Sequence, residues 1–233
     1  MEIAANLASI RQQIETTCRE CGRNPAEVRL VAVSKTKPPE LVEEALAAGQ
    51  TVIGESYVQE LVTKTDLIET PAEWHFIGHL QSNKAKYLVG RIALIHSVDR
   101  LSLAREIDKQ WGKSGLTANI LLQVNLAEEA SKSGTTLEEA EALARAIAAL
   151  QHVRLQGLMT LPPYCPDPEE VRPYFSQLRQ LAEHLSTCDL PGVSMDELSM
   201  GMSHDFRVAI EEGATLVRVG TAIFGERQRR PAQ

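Results

Sequence analysis

The sequence has 233 residues and a formal net charge of −7 at pH 7, with 43% hydrophobic and 24% charged residues. This composition is typical of a globular chain with a sizeable core, and the negative charge disfavours nucleic-acid binding because phosphate backbones repel it. There is no run of 18 apolar residues and no basic N-terminal region before an apolar block, so we expect no membrane span, no secretory signal and a cytoplasmic location.

The chain begins with a predicted helix and a predicted strand. Ile3, Leu7, Ile10 and Ile14 recur at helical spacing, which gives the N-terminal segment one apolar face. Val28–Lys35 follows and is short, rich in β-branched residues and almost wholly apolar. Such a run is typical of a strand that is buried on both faces of a parallel sheet.

The alternation of strand and helix continues to the C-terminus. The further predicted strands are Thr51–Gly54, Trp74–Gly78, Ile92–Val98, Asn119–Asn125, Arg154–Met159, Asp196–Met200 and Leu216–Gly220. Helical sequence lies between them, for example Leu101–Trp111 and Leu137–Leu150. Eight such repeats predict an α/β fold, a single-domain (β/α)₈ TIM barrel over residues 1–225, followed by a polar tail over residues 226–233. A doubly wound open sheet is the alternative.

In a barrel of this kind, functional residues gather at the C-terminal ends of the strands. Lys35 ends the first strand after a run of apolar residues, so its stem begins inside the barrel or at its rim. Partial desolvation makes a neutral amine more accessible, and a Schiff base with an aldehyde requires a neutral amine. The alternative is a rim lysine paired with a carboxylate such as Glu55, which could itself be a general base.

The ends of the last two strands predict an anion site. The segment 199–203 offers two hydroxyls and a glycine, Gly220 and Thr221 offer amides and a hydroxyl, and Arg218 can donate two hydrogen bonds. The alternative is that the small residues only form turns. A Schiff-base lysine with a phosphate site leaves two candidates, an aldolase acting on a phosphorylated sugar or a site for pyridoxal 5′-phosphate. We expect no metal site.

Five segments carry a resemblance to a known family. They are residues 30–38 (LVAVSKTKP), 54–60 (GESYVQE), 74–84 (WHFIGHLQSNK), 198–203 (LSMGMS) and 217–225 (VRVGTAIFG). The sequence resembles the pyridoxal phosphate homeostasis protein family, whose members resemble the barrel of the alanine racemase N-terminal domain, the type III fold of pyridoxal phosphate proteins. One position departs from the family pattern, because Ser56 stands where the family has asparagine.

The resemblance implies a role for each candidate site residue. Lys35 would hold pyridoxal 5′-phosphate as a Schiff base, and Arg218 would face the pyridine nitrogen and keep it unprotonated, since a cation disfavours a second proton. The residues that would bind the phosphate are Ser199, Gly201, Ser203, Gly220 and Thr221. Asn83 and Met159 would line the walls of the site.

The function implied by the resemblance is intracellular homeostasis of pyridoxal 5′-phosphate and of the balance of amino and keto acids. We expect a monomeric carrier without strong catalytic activity, with pyridoxal phosphate-dependent apoenzymes as possible recipients. The racemases have a second, C-terminal β domain that supplies a catalytic tyrosine, and the sequence shows no counterpart after Gly225. The alternative is an amino-acid racemase or another pyridoxal phosphate-dependent enzyme of low activity.

Overall fold

Eight parallel strands form the centre of the molecule. The structure is a computed structural model that describes residues 2–127 and 133–226. The strands are β1 (Arg29–Val33), β2 (Val52–Glu55), β3 (Glu73–Phe76), β4 (Leu94–Val98), β5 (Ala118–Val124), β6 (Val153–Thr160), β7 (Val193–Met202) and β8 (Leu216–Val219). Each strand pairs with the next, and β8 pairs with β1. This closure confirms the predicted barrel and excludes the open sheet.

Helices cover the outside of the barrel. They are α1 (Glu2–Glu20), α2 (Pro39–Ala47), α3 (Val58–Leu67), α4 (Leu101–Lys113), α5 (Leu137–Ala148), α6 (Arg172–Ser186), α7 (Phe206–Glu211) and α8 (Thr221–Phe224). Three short 3₁₀ helices are Pro25–Glu27, Ser82–Tyr87 and Pro168–Val171. Helix α1 precedes the first strand and contacts α2, α7 and α8, so its predicted apolar face is buried.

The two faces of the barrel wall carry different side chains. Successive residues of a strand point to opposite faces, so Leu30 and Ala32 of β1 pack outward against the helices, whereas Val31 points into the lumen. A separate apolar cluster fills part of the lumen and comprises Val31, Val52, Leu94, Leu121, Met159 and Leu216. The rest of the lumen is polar, because His75, His96 and Ser199 are also fully buried.

Some boundaries differ from the predicted ones. β7 extends three residues further toward the N-terminus and two further toward the C-terminus than predicted, and the segment after β3 forms a 3₁₀ helix. Of the predicted tail, only Glu226 belongs to the described residues, and 227–233 lie outside them. Within the described residues, no helix is long and apolar enough to span a membrane.

Candidate functional site

Lys35 lies just beyond the end of β1 in a segment whose backbone is held on both sides. Its side chain is half-buried. The next residue, Thr36, has a φ of +64°, a conformation that is uncommon for a residue with a β-branched side chain. The Thr36 amide donates to Glu60 Oε2 at 2.7 Å, and the Lys37 amide donates to the Ser34 carbonyl at 3.0 Å. These bonds fix the position from which the Lys35 side chain starts.

Glu55 pairs with a lysine that the sequence patterns did not single out. Lys64 of α3 is 3% exposed and donates to Glu55 Oε1 and, at 2.8 Å, to the Ser34 carbonyl. The Ser34 hydroxyl donates to the same carboxylate at 2.6 Å. Burial raises the pKa of Glu55, and the charge of Lys64 opposes that rise. Glu55 and Ile53 lie on the same, outward face of β2. The Glu55 carboxylate therefore supports the barrel wall on the side away from the lumen, next to Lys35.

Arg218 occupies the lumen. It is third in β8 and 4% exposed, and its guanidinium donates to Ser199 Oγ and, at 2.8 Å, to the Thr160 carbonyl. Its partners are therefore a hydroxyl and a carbonyl, whereas the carboxylate of Asp205 attracts it only through space. Burial lowers the pKa of Arg218 to about 10, because a desolvated cation is less stable.

Ser199, which was predicted to bind a phosphate, contacts Arg218 and His96 in the lumen. The residue is fully buried, and its Oγ accepts from Arg218 and lies 2.8 Å from His96 Nδ1. A hydroxyl has one proton and two lone pairs, so Arg218 and His96 occupy two of its three hydrogen-bonding positions. Ser199 thus supports Arg218 in the lumen, and its predicted contact with a phosphate stays a prediction. His96 was not predicted, although a polar residue in the apolar strand β4 was a signal for it.

The C-terminal end of β7 approaches α7 closely. Gly201 has a φ of +89°, and a Cβ atom there would lie 2.6 Å from Ala209 Cβ and 2.9 Å from Phe206 Cα. The Asp205 carboxylate accepts from the Met202 amide at 2.6 Å and closes the turn. Burial raises the pKa of Asp205. Asp205 precedes α7 without capping it through its side chain, and instead holds the loop that presents Ser203.

The end of β8 comes close to the end of β1. A Cβ atom at Gly220 would lie 3.1 Å from the Val33 carbonyl oxygen, so this position suits a glycine. Thr221 follows and is exposed at the start of α8. The Lys37 ammonium donates to the carbonyls of Phe224 and Glu226 at 2.8 and 2.7 Å. The predicted lysine and the predicted phosphate residues of β8 are thus at the same edge of the barrel.

The two predicted wall residues differ in their surroundings. Met159 of β6 is fully buried in the apolar cluster of the lumen. Asn83 is exposed in the 3₁₀ helix Ser82–Tyr87 that follows β3. Ser56, at the position that departs from the family pattern, donates its amide to Glu55 Oε2 at 3.2 Å. Its carbonyl oxygen would lie 2.1 Å from a Cβ at Gly78, which explains the glycine at that position.

These positions bring together three kinds of polar group. A half-buried amine, that of Lys35, follows β1, and a desolvated guanidinium, that of Arg218, lies in the lumen. Hydroxyls and glycine amides are available after β7 and β8, at Ser203 and Thr221 with their neighbouring glycines. The set can bind an aldehyde covalently, an oxyanion through hydroxyls and amides, and a neutral acceptor through the guanidinium.

The comparisons with known proteins show the family of this chain. The family model described as alanine racemase, N-terminal domain, matches residues 5–228. A pyridoxal phosphate homeostasis protein of Aquifex aeolicus is 44% identical over 229 residues, which cover 98% of this chain and 100% of that protein. The sequence resemblance is therefore confirmed.

Two solved structures have folds similar to that of this chain. PipY of Synechococcus elongatus, solved with pyridoxal phosphate bound, is 39% identical, with a TM-score of 0.83 over 96% of this chain and 100% of that one. Alanine racemase of Corynebacterium glutamicum is 16% identical, with a TM-score of 0.71 over 97% of this chain and 64% of that one. The racemase shows the shared barrel only.

Replacing Gly201 should cost more stability than replacing a glycine of similar φ in open space. We expect Gly201→Ala to lower the free energy of unfolding by about 3 kcal/mol, from the left-handed backbone and from overpacking against Ala209. Gly22 has a φ of +74°, and a Cβ atom there would meet nothing within 4 Å, so Gly22→Ala should cost about 1 kcal/mol. Urea unfolding of both variants measures the difference, and equal losses would contradict the close approach.

Removing Lys64 should leave the buried carboxylate of Glu55 without its counter-ion. We expect Lys64→Met to lower the free energy of unfolding by about 4 kcal/mol at pH 8, because Glu55 loses its counter-ion. The loss should shrink toward pH 5, because a raised pKa lets Glu55 take up a proton in the folded state and the cost of its charge then disappears.

The matched control for that variant is the double variant Glu55→Gln/Lys64→Met. The amide of glutamine still accepts the Ser34 hydroxyl but carries no charge, so about half of the lost stability should return. Additive losses in a double-mutant cycle measured by urea unfolding would show that the two side chains do not interact.

Proposed function

Because the chain belongs to the family of pyridoxal phosphate homeostasis proteins, we propose that it binds pyridoxal 5′-phosphate at the C-terminal ends of its strands, with Lys35 as the covalent anchor. The observation that carries the proposal is the buried guanidinium of Arg218 in the same barrel mouth as the half-buried Lys35. The aligned relative PipY was solved with this cofactor bound, and it is 39% identical.

The donor set fits each part of the cofactor. The Lys35 amine would take the aldehyde, and Arg218 would face the pyridine nitrogen. The phosphate would be bound by the hydroxyls of Ser203 and Thr221 and by the backbone of the glycines at 201 and 220. Ser199 is the further predicted phosphate ligand, and its hydroxyl also contacts Arg218 and His96. Asn83 and Met159 would border the site.

We infer that the protein stores and hands over the cofactor rather than catalysing a fast reaction. When bound, pyridoxal 5′-phosphate supplies an electron sink for carbanion chemistry. Arg218 weakens that sink, because a permanent cation beside the pyridine nitrogen disfavours its protonation. The homologues' name, pyridoxal phosphate homeostasis protein, supports a non-enzymatic role. Racemase-like activity of low rate is the alternative to be tested.

The biological setting follows from the same proposal. A carrier would act as a monomer in the cytoplasm and release its cofactor to apoenzymes that depend on pyridoxal phosphate, and so influence the balance of amino and keto acids. The recipient would be recognised by its vacant lysine, since transfer exchanges one lysine–aldehyde bond for another. Neither nucleic acid nor a membrane has a part in this role.

Lys35 should be the only lysine whose loss abolishes the visible absorption of the bound cofactor. We expect the purified protein with added pyridoxal 5′-phosphate to show a visible band, and Lys35→Ala to lack it. Lys37→Ala is the matched control, because Lys37 is two residues away and donates to the carbonyls of Phe224 and Glu226. Borohydride reduction followed by peptide mass spectrometry should locate the cofactor on Lys35.

Two results would contradict the cofactor assignment. One is a native protein that stays colourless with excess pyridoxal 5′-phosphate. The other is a borohydride adduct on a lysine other than Lys35. A colourless protein that borohydride traps only with a sugar phosphate would favour the cofactor-free aldolase.

The carrier role predicts transfer without turnover. Incubation with L-alanine or L-serine should produce D-enantiomer far more slowly than about one turnover per second, the lower end of the ordinary enzyme range. Loaded protein should activate an added pyridoxal phosphate-dependent apoenzyme, and borohydride-reduced loaded protein should not, because its cofactor is fixed. Racemisation at ordinary enzymatic rates would replace the carrier role with an enzymatic one.

A further inference from the structure

A continuous file of hydrogen bonds crosses the lumen from Arg218 to the opposite end of the barrel. Arg218 donates to Ser199 Oγ, which lies 2.8 Å from His96 Nδ1. His96 Nε2 lies 2.9 Å from His75 Nδ1, and His75 Nε2 lies 2.8 Å from Glu73 Oε1. Four strands, β8, β7, β4 and β3, supply its members, and both histidines are fully buried.

With both imidazoles neutral, the two ends of the file fix the direction of every bond in it. At one end, the guanidinium of Arg218 has donors only. At the other end, Glu73 is a carboxylate at neutral pH, because its bonds to His75 and Arg29 lower its pKa to about 2, and it can only accept. Each neutral imidazole between them has one donor and one acceptor. The bonds therefore run from Arg218 to Ser199, then to the two histidines, and end on Glu73.

This arrangement assigns the same tautomer to both histidines. His75 must carry its proton on Nε2 to donate to Glu73, so its Nδ1 accepts from Nε2–H of His96. His96 Nδ1 is then unprotonated and accepts from the Ser199 hydroxyl. Burial lowers the pKa of His96 well below its usual range. Both rings thus have every polar atom satisfied in their neutral forms.

The far end of the file reaches solvent. Glu73 also accepts from Arg29 at 2.9 Å, and Arg29 bridges to Glu197 at 2.8 Å. The side chains of Glu73 and Arg29 are partly exposed at the N-terminal end of the barrel. A cavity of about 450 Å³ there is lined in part by Arg29 and Glu197, together with Arg23 and Glu27. The charged groups of Glu73 and Arg29 are therefore in contact with solvent.

We propose that Ser199, His96 and His75 are positioning residues for Arg218, and that they couple the charge of Glu73 at the N-terminal end of the barrel to the guanidinium at the cofactor ring. The coupling to the cofactor rests on the proposed function, whereas the direction of the file does not. Loss of the Ser199 hydroxyl leaves the Thr160 carbonyl as the remaining described partner of the Arg218 guanidinium, and it leaves His96 Nδ1 without its donor.

The direction of the file is testable in the protein without any cofactor. Nitrogen-15 NMR of the histidine rings at pH 7 should show His75 and His96 neutral, each with its proton on Nε2. The same tautomers should appear in Lys35→Ala, which removes the proposed anchor and leaves the file intact. A proton on Nδ1 of either ring, or an imidazolium at either position, would overturn the proposal whether or not the protein binds pyridoxal 5′-phosphate.

The coupling is testable through the affinity for pyridoxal 5′-phosphate. We expect Ser199→Ala and His96→Leu each to raise the Kd about tenfold, the equivalent of one net hydrogen bond of about 1.4 kcal/mol. His96→Asn should restore most of the affinity, because its side-chain oxygen can accept the Ser199 hydroxyl. Thr17→Val is the matched control, since it removes a buried hydroxyl bond within α1 and should leave the Kd unchanged.

A double-mutant cycle tests whether the charge of Glu73 affects cofactor binding through His96. Glu73→Gln keeps the shape of the side chain but removes its charge, and we expect it to raise the Kd in the native background and not in His96→Asn, where the link to His75 is cut. An equal effect in both backgrounds would overturn the coupling. If the native protein binds no pyridoxal 5′-phosphate at all, the proposed function fails, and the tautomers alone decide the direction of the file.

Discussion

Burial of the Arg218 guanidinium is the constraint that organises the lumen of this barrel. A guanidinium stays charged at neutral pH, and withdrawal from water is costly unless hydrogen bonds and opposite charge compensate it. Its bonded partners among the described residues are a hydroxyl and a carbonyl, and the carboxylate of Asp205 acts on it from a distance. A polar file therefore replaces the apolar layers that fill many barrels of this kind. A ligand atom that accepts a hydrogen bond would complete the compensation.

Side chains alternate between the two faces of the barrel wall. A charged pair that supports the fold can therefore lie on a different face from the charged residues of the proposed site. Glu55 and Lys64 form a buried pair on the outward face, between β2 and α3, and tie down the Ser34 carbonyl. Lys35 is the next residue, so that pair fixes its backbone without occupying the barrel mouth. The same division explains why the acidic residue of the β2 motif is not a general base. It supports the site from behind.

The architecture was predictable, as was the position of Lys35 at the end of the first strand, because both depend on local sequence. Short apolar runs alternate with amphipathic helices, and Lys35 follows the first of them. The role of Ser199 was not predictable, because its partner His96 lies 103 residues earlier in the chain and only strand register brings them together. Lys64 was missed for a related reason, since a lysine on a helix is usually solvated. The polar His96 inside an apolar strand was one local signal of a polar lumen.

The most direct test of the proposed site is a crystal structure of the protein grown with pyridoxal 5′-phosphate. We expect continuous electron density between Lys35 Nζ and the former aldehyde carbon, with the Arg218 guanidinium at the pyridine nitrogen and the phosphate between the ends of β7 and β8. Ser199 should still contact Arg218 and His96. Cofactor density on another lysine, or an Arg218 side chain turned away from the ring, would contradict the central claim.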